Sequence, residues 1–185
     1  MSDFETYSVE VAGVRRDLRL FAVKPGLRIA ILNILGDTEL VQASATALNE
    51  RLKAYRADLI VAPEAKAIPL AHALSVVSGI GYVILRKVYK PYMGFALKSE
   101  TLSITTGEPQ TLYLDEKDRA AVKGKRVILL DDVISTGSTL QGLRLIMDKA
   151  DADVVAEAAI FTEGDRAQWE KIIALGHLPV FVDKD

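Results

Sequence analysis

Short, continuously apolar segments alternate with helical patterns along most of the chain, and this alternation constrains the fold more than any other feature. Residues 59–62, 82–85, 127–130 and 154–161 are each rich in β-prone residues and lack the polar alternation of a half-exposed strand. Strands of this kind are buried on both faces, and intervening helices connect them in parallel. The sequence therefore predicts an α/β fold, with a parallel central sheet and helices on both faces.

Helical spacing fills the intervals between these strands. Asp37 is suited to cap a first helix, and further helices are predicted over residues 67–77, over residues 140–147 and around residues 169–174. Residues 180–182 read as the last strand of the series. Because no repeat, low-complexity tract or linker is visible, residues 1–185 are predicted to form a single domain.

Two segments depart from the alternation. Residues 7–11 and 17–21 alternate polar and apolar residues around a turn at Ala12 and Gly13, which predicts an antiparallel hairpin in an N-terminal region of about residues 1–36. Strand-like residues 101–105 and 111–114 flank Gly107, and no convincing helix is visible between Arg86 and Arg126. A second hairpin, inserted over about residues 88–115, is therefore expected, and inserted segments of this kind often serve as lids.

Composition excludes several classes of protein. The 23 Lys and Arg residues nearly balance 25 Asp and Glu residues, giving a net charge of −2, which argues against a dedicated nucleic-acid or membrane-surface binder. The chain has no cysteine, so disulfides, a thiol nucleophile and a cysteine-ligated zinc site are excluded, and a reducing cytoplasm is the expected location. No secretory signal is visible, and the uncharged residues 67–85 are too interrupted by Pro69, Gly79 and Gly81 to predict a membrane span.

The stretch from residue 127 to residue 140 carries the most specific chemistry. Its apolar strand leads into Asp131 and Asp132, and a hydroxyl-rich loop, residues 135–139, then runs directly into a helix. Backbone N–H groups, hydroxyls and the positive end of a helix dipole together suit one phosphate group. Because two carboxylates would repel a bare anion, the pattern favours a ligand with hydroxyls or a metal ion beside its phosphate, such as a sugar phosphate.

Three other interpretations of this stretch explain its residues less well. An NTPase strand ending in two acids would need a G-x-x-x-x-G-K-[ST] loop, and none occurs. A receiver domain also clusters acids at strand ends but requires no Thr-Gly-Ser-Thr helix start. A buried strand followed by an N-cap at Ser138 explains one hydroxyl and leaves two adjacent charges unexplained.

The same stretch resembles the phosphoribosyl pyrophosphate signature of type I phosphoribosyltransferases, and residues 20–161 are most similar in order and spacing to the adenine-specific members. The resemblance implies that Asp131 and Asp132 hold the ribose hydroxyls, directly or through water bound to Mg²⁺. It also implies a substrate-binding loop, with the 5-phosphate held by the residues from Ser135 onward. That loop consists of Val133, Ser135, Thr136, Gly137, Ser138 and Thr139.

Two further segments resemble the pyrophosphate-binding parts of that family. Glu64, Ala65 and Lys66 match its short pyrophosphate loop, with Lys66 where an arginine is usual. A lysine is a point charge and grips pyrophosphate less specifically than an arginine, and a solvated Lys66 on an ordinary helical turn is the alternative. A basic pair and a lid lysine correspond to Arg86, Lys87 and Lys90. The implied catalytic residues are Asp131, Asp132, Lys66 and Arg86.

The chain departs from the adenine-specific pattern at the base-binding parts. Residues 103–107 replace a Leu-Glu-Tyr-Gly segment of the lid, and residues 29–33 replace a segment that contains Phe-Arg-Asp. Tyr89, Tyr92 and Phe95 are candidates either to stack on a base or to pack the lid. His72 and His177 lack metal-ligand partners at useful spacing and are expected to be surface or packing residues.

The resemblance implies a Mg²⁺-dependent enzyme that transfers 5-phosphoribose from phosphoribosyl pyrophosphate to a purine, with adenine as the first choice of base. In the family a neighbouring subunit contributes to the lid, which implies a homodimer, and neither nucleic acid nor membrane is expected as a partner. The alternative is a non-catalytic protein that senses phosphoribosyl pyrophosphate. An RNA-binding regulator of this kind stays open.

Overall fold

A computed structural model describes residues 4–102 and 109–182. Within these residues, 3-10 turns cover Lys53–Tyr55, Pro91–Met93 and Arg166–Trp169. The helices there are α1 (Thr38–Leu52), α2 (Ala67–Ser78), α3 (Glu116–Val122) and α4 (Ser138–Lys149). The strands are β1 (Thr6–Val11), β2 (Val14–Lys24), β3 (Leu27–Ile31), β4 (Leu59–Pro63), β5 (Gly81–Leu85), β6 (Leu97–Leu102), β7 (Pro109–Leu114), β8 (Arg126–Ile134), β9 (Asp153–Glu163), β10 (Ile173–Leu178) and β11 (Val180–Val182).

The predicted parallel sheet is confirmed. Its five strands lie in the order β10-β9-β8-β4-β5, and every neighbouring pair is parallel. Successive residues of a strand face opposite sides, so Ile60 packs in the core under α1 and α2, while Val61 packs in the core under α3 and α4. Both cores are apolar, and this explains why the strands read as continuous hydrophobic runs.

Local signals set the ends of the helices. The side chain of Asp37 accepts a hydrogen bond from the N–H of Leu40 at 3.2 Å, which confirms the expected cap of α1. Helix α2 ends at Gly79, whose φ of 76° lies in the left-handed region that glycine tolerates.

The N-terminal hairpin is present and belongs to a larger sheet. Strands β1 and β2 pair around Ala12 and Gly13, and both turn residues have positive φ. The full antiparallel sheet has the order β1-β2-β3-β11. The placement of residues 180–182 in the parallel series was therefore wrong, because β11 pairs with β3 through Val180 and Ile29.

Two helix predictions also need correction. Residues 169–174 form the end of a 3-10 turn and the start of β10, whose Gly176 lies so close to β9 that an added Cβ would sit 2.5 Å from Cε1 of Phe161. Helix α3 was missed because its seven residues give too little periodicity, although Asp115 caps it by accepting a hydrogen bond from the N–H of Lys117.

The inserted hairpin consists of β6 and β7, which pair antiparallel. It lies against α4, where the hydroxyl of Ser99 donates a hydrogen bond to the carbonyl of Gly142 at 2.9 Å. The expected turn at Gly107 and the strand prediction for residues 103–105 lie outside the described residues. No helix in residues 4–102 or 109–182 is long and apolar enough to cross a bilayer.

Candidate active site

The acid pair lies near the carboxyl end of β8, beside the start of α4. The sequence placed the end of this strand before the acids, whereas the strand continues to Ile134. The N–H of Asp132 donates a hydrogen bond to Oδ1 of Asp131 at 2.9 Å, and Asp132 is 8% exposed. Burial first, and the negative charge of Asp132 second, raise the pKa of Asp131 well above its usual range, while the positive charge of Lys87 partly lowers it.

The loop after β8 leads straight into α4. Gly137 occupies the cap position with a φ of 77° and without a side-chain cap, so Ser138 is the first helical residue, which corrects the alternative of an N-cap at Ser138. The hydroxyls of Thr136 and Ser138 lie 3.0 Å apart. The N–H of Ser138 makes one long hydrogen bond, of 3.5 Å, to Oγ1 of Thr136, and because the first N–H groups of a helix have no partner within the helix, this helix start can bind an anion.

Gln110 of β7 reaches this loop and was missed in the sequence. Its Oε1 accepts hydrogen bonds from Oγ of Ser138 at 3.3 Å and from Oγ1 of Thr139 at 3.4 Å. A cavity of about 210 Å³ lies between Lys87, Gln110 and Thr139. The inserted hairpin thus contributes a polar group to the edge of the site, which only its tertiary position reveals.

A second group of residues closes the other side of the loop. The hydroxyl of Ser135 donates a hydrogen bond to Oε2 of Glu163 at 2.6 Å. Trp169 packs on Gly137, where an added Cβ would lie 2.9 Å from Cη2 of the indole. Neither Glu163 nor Trp169 was singled out from the sequence, because both lie about thirty residues beyond the loop.

The loop between β4 and α2 faces the same region. Glu64 accepts a hydrogen bond from Nε of Arg86 and another, at 2.6 Å, from the main-chain N–H of Lys87. Nζ of Lys66 donates to the carbonyl of Leu32 at 3.0 Å and lies 4.0 Å from Oδ2 of Asp132. The guanidinium of Arg86 is therefore paired with a carboxylate, whereas Lys66 is directed toward the acid pair.

The structure brings most of the candidate residues together. Asp132 and Lys66 are directly linked, Lys87 acts electrostatically on Asp131, and Ala65 lies in the loop between Glu64 and Lys66. Lys90 is exposed at the start of a 3-10 turn, where its main-chain N–H donates to Sδ of Met93. Val133 follows the acid pair within β8.

The aromatic candidates differ in exposure, and both histidines contact neighbouring protein groups. Tyr92 is 71% and Phe95 82% exposed, while the hydroxyl of Tyr89 donates to the carbonyl of Gly94 at 3.1 Å. His72 packs edge-on against Tyr82, and His177 bonds Thr162 and Gly164. In the described residues, no group of three or more histidine, aspartate or glutamate side chains is arranged to hold a metal ion.

Comparison with known proteins now identifies the family. The model of the phosphoribosyl transferase domain matches residues 31–175, which contain the acid pair and both loops. The chain belongs to the phosphoribosyl transferase family. The resemblance to phosphoribosyltransferases, which the acid pair and the loop after β8 indicated, is thereby confirmed.

This phosphoribosyl transferase domain is similar in sequence to named phosphoribosyltransferases. It is 32% identical over 166 residues to the adenine phosphoribosyltransferase of Thermosipho africanus, covering 86% of this chain and 94% of the relative. It is 36% identical over 108 residues to the hypoxanthine/guanine phosphoribosyltransferase of Methanococcus voltae, covering 58% of this chain and 54% of the relative.

Solved structures of this family have the same fold. The adenine phosphoribosyltransferase of Thermoanaerobacter pseudethanolicus superposes with a TM-score of 0.72 at 24% identity, over 86% of this chain and 95% of that one. The Trypanosoma brucei enzyme, in complex with AMP, pyrophosphate and ribose-5-phosphate, gives a TM-score of 0.63 at 22% identity, over 78% of this chain and 67% of that one. At these identities the likeness concerns the fold.

Proposed function

We propose that residues 1–185 form a single phosphoribosyl transferase domain. This domain transfers 5-phosphoribose from phosphoribosyl pyrophosphate to a ring nitrogen of a purine and releases pyrophosphate. The observation that carries the proposal is the position of Asp131 and Asp132 beside a loop that opens onto a helix N-terminus. A carboxylate pair accepts hydrogen bonds from sugar hydroxyls, and the loop attracts the phosphate of the same sugar.

The proposed roles follow from the contacts of each residue. Asp131 and Asp132 accept the ribose hydroxyls, while the loop from Val133 to Thr139 surrounds the 5-phosphate. Lys66 and Lys87 lie beside the acid pair and attract the pyrophosphate. Glu64 holds Arg86 and the main chain of Lys87 in place, so its carboxylate joins the loop between β4 and α2 to the residues that follow β5.

The acid pair has the donor chemistry that Mg²⁺ requires. Two carboxylates lie next to each other, one with a raised pKa, and the nearest cation of Asp132 is Lys66 at 4.0 Å. Mg²⁺ prefers oxygen ligands, retains several waters and commonly takes only one or two carboxylates together with substrate oxygens. We propose that Asp131 and Asp132 hold it through water, and when bound it supplies positive charge to the pyrophosphate.

The protein's contribution to the reaction is positioning and charge. The bond between C1 of the ribose and a pyrophosphate oxygen breaks, and C1 gains oxocarbenium character. The purine nitrogen forms the new bond to C1, and its proton passes to water or to the departing pyrophosphate. Lys66, Lys87 and Arg86 stabilise the negative charge that develops on the leaving oxygen. Holding both reactants together at the end of β8 accelerates the reaction further, because their relative positions are already fixed. No covalent nucleophile is needed.

Adenine is proposed as the first base, since relatives that match 83% and 86% of this chain are named adenine phosphoribosyltransferases. Hypoxanthine and guanine are the next candidates, on the likeness to the Methanococcus enzymes. The family resemblance also supports a homodimer in the cytoplasm, and the net charge of −2 supports neither nucleic acid nor membrane as a partner.

The test is to incubate the protein with Mg²⁺, phosphoribosyl pyrophosphate and each of adenine, guanine, hypoxanthine, xanthine, uracil and orotate, and to measure pyrophosphate. We expect release with a purine. The double variant Asp131→Asn with Asp132→Asn should lose about 100-fold or more of this rate. The matched control, Asp148→Asn with Asp151→Asn, changes the same charge at the exposed end of α4 and should keep it.

Two outcomes would contradict the proposal. Normal turnover in the Asp131 and Asp132 double variant would show that the acid pair does not serve the reaction. Binding of phosphoribosyl pyrophosphate without pyrophosphate release across the whole panel would instead indicate the sensor.

A further inference from the structure

A buried carboxylate lies directly behind the phosphate loop. Glu163 ends β9, is 5% exposed, and accepts the hydrogen bond from Oγ of Ser135 at 2.6 Å. Nothing in the proposed transfer uses this acid. An ionised carboxylate this close to a phosphate-binding loop repels an anion in the loop, whereas a protonated carboxyl does not.

The main chain around Glu163 is firmly held. Its carbonyl accepts a hydrogen bond from the indole N–H of Trp169 at 2.8 Å, and the same indole packs on Gly137 of the loop. Nδ1 of His177 lies 2.9 Å from the hydroxyl of Thr162, and its Nε2 lies 3.0 Å from the carbonyl of Gly164. Nε2 therefore carries a proton, since a carbonyl only accepts, whereas the Thr162 hydroxyl can either donate to Nδ1 or accept from it.

The protonation state of Glu163 determines what Ser135 offers a ligand. An ionised carboxylate only accepts, so it takes the single proton of the Ser135 hydroxyl and leaves lone pairs facing the loop. A neutral carboxyl or an amide can donate to Oγ instead, and the hydroxyl proton then becomes available to a phosphate oxygen. The direction of one hydrogen bond thus decides whether Ser135 attracts or repels the anion.

We propose that Glu163 is a positioning residue that sets the direction of the Ser135 hydroxyl and thereby the affinity of the loop for a sugar phosphate. The inference rests on the proposed function, because it assumes that the loop holds the 5-phosphate. Glu163 lies outside the loop, and its side chain affects the ligand only through the Ser135 hydroxyl.

The charge of Glu163 gives the effect a pH dependence. Burial raises the pKa of Glu163, while the hydrogen bond from Ser135 and the charge of His177 lower it in part. His177 on β10 is the titratable group whose charge acts on it, and Ser135 is its partner on the loop. A bound phosphate favours the neutral carboxyl further, so binding weakens as pH rises through the pKa of Glu163.

Trp169 provides a direct measurement of binding. It is the only tryptophan of the chain, and its indole covers Gly137 in the loop. We propose to follow its fluorescence while ribose 5-phosphate is added between pH 5.5 and pH 8.5, with ribose as the phosphate-free control. Glu163→Gln leaves the main-chain carbonyl that orients Trp169 in place.

The expected result is tighter binding by Glu163→Gln at high pH. Its dissociation constant at pH 8 should be roughly three- to tenfold lower than that of the wild-type protein, and the ratio should approach one at low pH. The second ionisation of the sugar phosphate, near pH 6, affects both proteins alike and cancels from the ratio. In a Ser135→Ala background, the gain from Glu163→Gln should disappear.

Each other outcome overturns the inference. An unchanged or weaker affinity in Glu163→Gln would make Glu163 a structural residue only, and a gain that persists in the Ser135→Ala background would exclude the hydroxyl as the intermediary. If the wild-type protein bound ribose no more weakly than ribose 5-phosphate, the loop would hold no phosphate, and the proposed function would fail with it. Pyrophosphate release from the base panel at saturating phosphoribosyl pyrophosphate separates these failures, because saturation removes any difference in affinity that the Ser135 hydroxyl causes.

Discussion

At the scale of single residues, Asp131 shows how binding chemistry opposes stability. The fold buries a carboxylate next to a second one, and both burial and the charge of Asp132 raise its pKa. Because the folded protein favours the protonated form, the ionised form costs stability at neutral pH. A hydroxyl-bearing ligand or a cation that contacts the pair lowers this loss of stability, whereas the protein without a ligand shows it in full.

Replacement of Asp131 by asparagine should therefore stabilise the protein while lowering turnover. The shape of the side chain stays the same, and the buried negative charge disappears. Wild-type stability falls as pH rises through the raised pKa of Asp131, so the advantage of the variant should be larger at pH 8 than at pH 4.5. Urea unfolding at both pH values measures it, with Asp148→Asn as the exposed control; an equal difference at both pH values would contradict the electrostatic explanation.

At the scale of elements, the loop and its neighbours were only partly predictable from the sequence. The strand, the acid pair and the helix start are contiguous, so a local pattern revealed them. Gln110, Glu163 and Trp169 reach the same loop from β7, β9 and a 3-10 turn, and no local signal joins residues so far apart.

The fold shows the same division between local and long-range information. Four of the five parallel strands were recognisable because each contains a run of apolar residues. Strand β11 was assigned to the wrong sheet because its partner, β3, is about 150 residues away. Strand β10 was not predicted, and the helix predicted around residues 169–174 overlaps its first two residues, because a short apolar segment fits either period.

The contact between Trp169 and Gly137 should make alanine unusually costly at position 137. Gly137→Ala forces alanine to a φ of 77° and places its Cβ 2.9 Å from the indole, whereas Gly79→Ala meets a φ of 76° in open space. We expect Gly79→Ala to lose about 1 kcal/mol of unfolding free energy, and Gly137→Ala to lose clearly more and to shift the Trp169 emission. Equal losses would show that Trp169 moves aside from the added Cβ without lowering the free energy of unfolding.

At the scale of the whole molecule, one arginine connects the N-terminal sheet to the parallel core. Nε and Nη2 of Arg16 on β2 donate to the two carboxylate oxygens of Asp37 at 2.7 and 2.8 Å, and Nη2 also reaches Glu39 at 2.7 Å. Asp37 is the cap of α1, so the same carboxylate fixes a helix end and a sheet. The paired geometry suits arginine and not lysine.

Substitution of Arg16 should weaken this connection in a pH-dependent way. The Arg16 guanidinium lowers the pKa of Asp37, so the stabilisation is present above the ordinary pKa of an aspartate and is lost as pH falls through the lowered value. Arg16→Gln should lower the thermal midpoint at pH 7, and the difference should shrink toward pH 3. Arg15→Gln, on the neighbouring exposed position, is the control, and a pH-independent difference would contradict the assignment to Asp37.

The pairing of β11 with β3 also affects how the chain matures during synthesis. Strand β3 is translated early, but its outer edge has no partner until residues 180–182 have left the ribosome. Until then a nascent chain exposes an unpaired strand edge, the kind of surface on which chaperones act and neighbouring chains aggregate. Shielding of that edge by β11 therefore comes after all five strands of the parallel sheet have been synthesised, and protease cleavage of stalled chains of different lengths would reveal when it occurs.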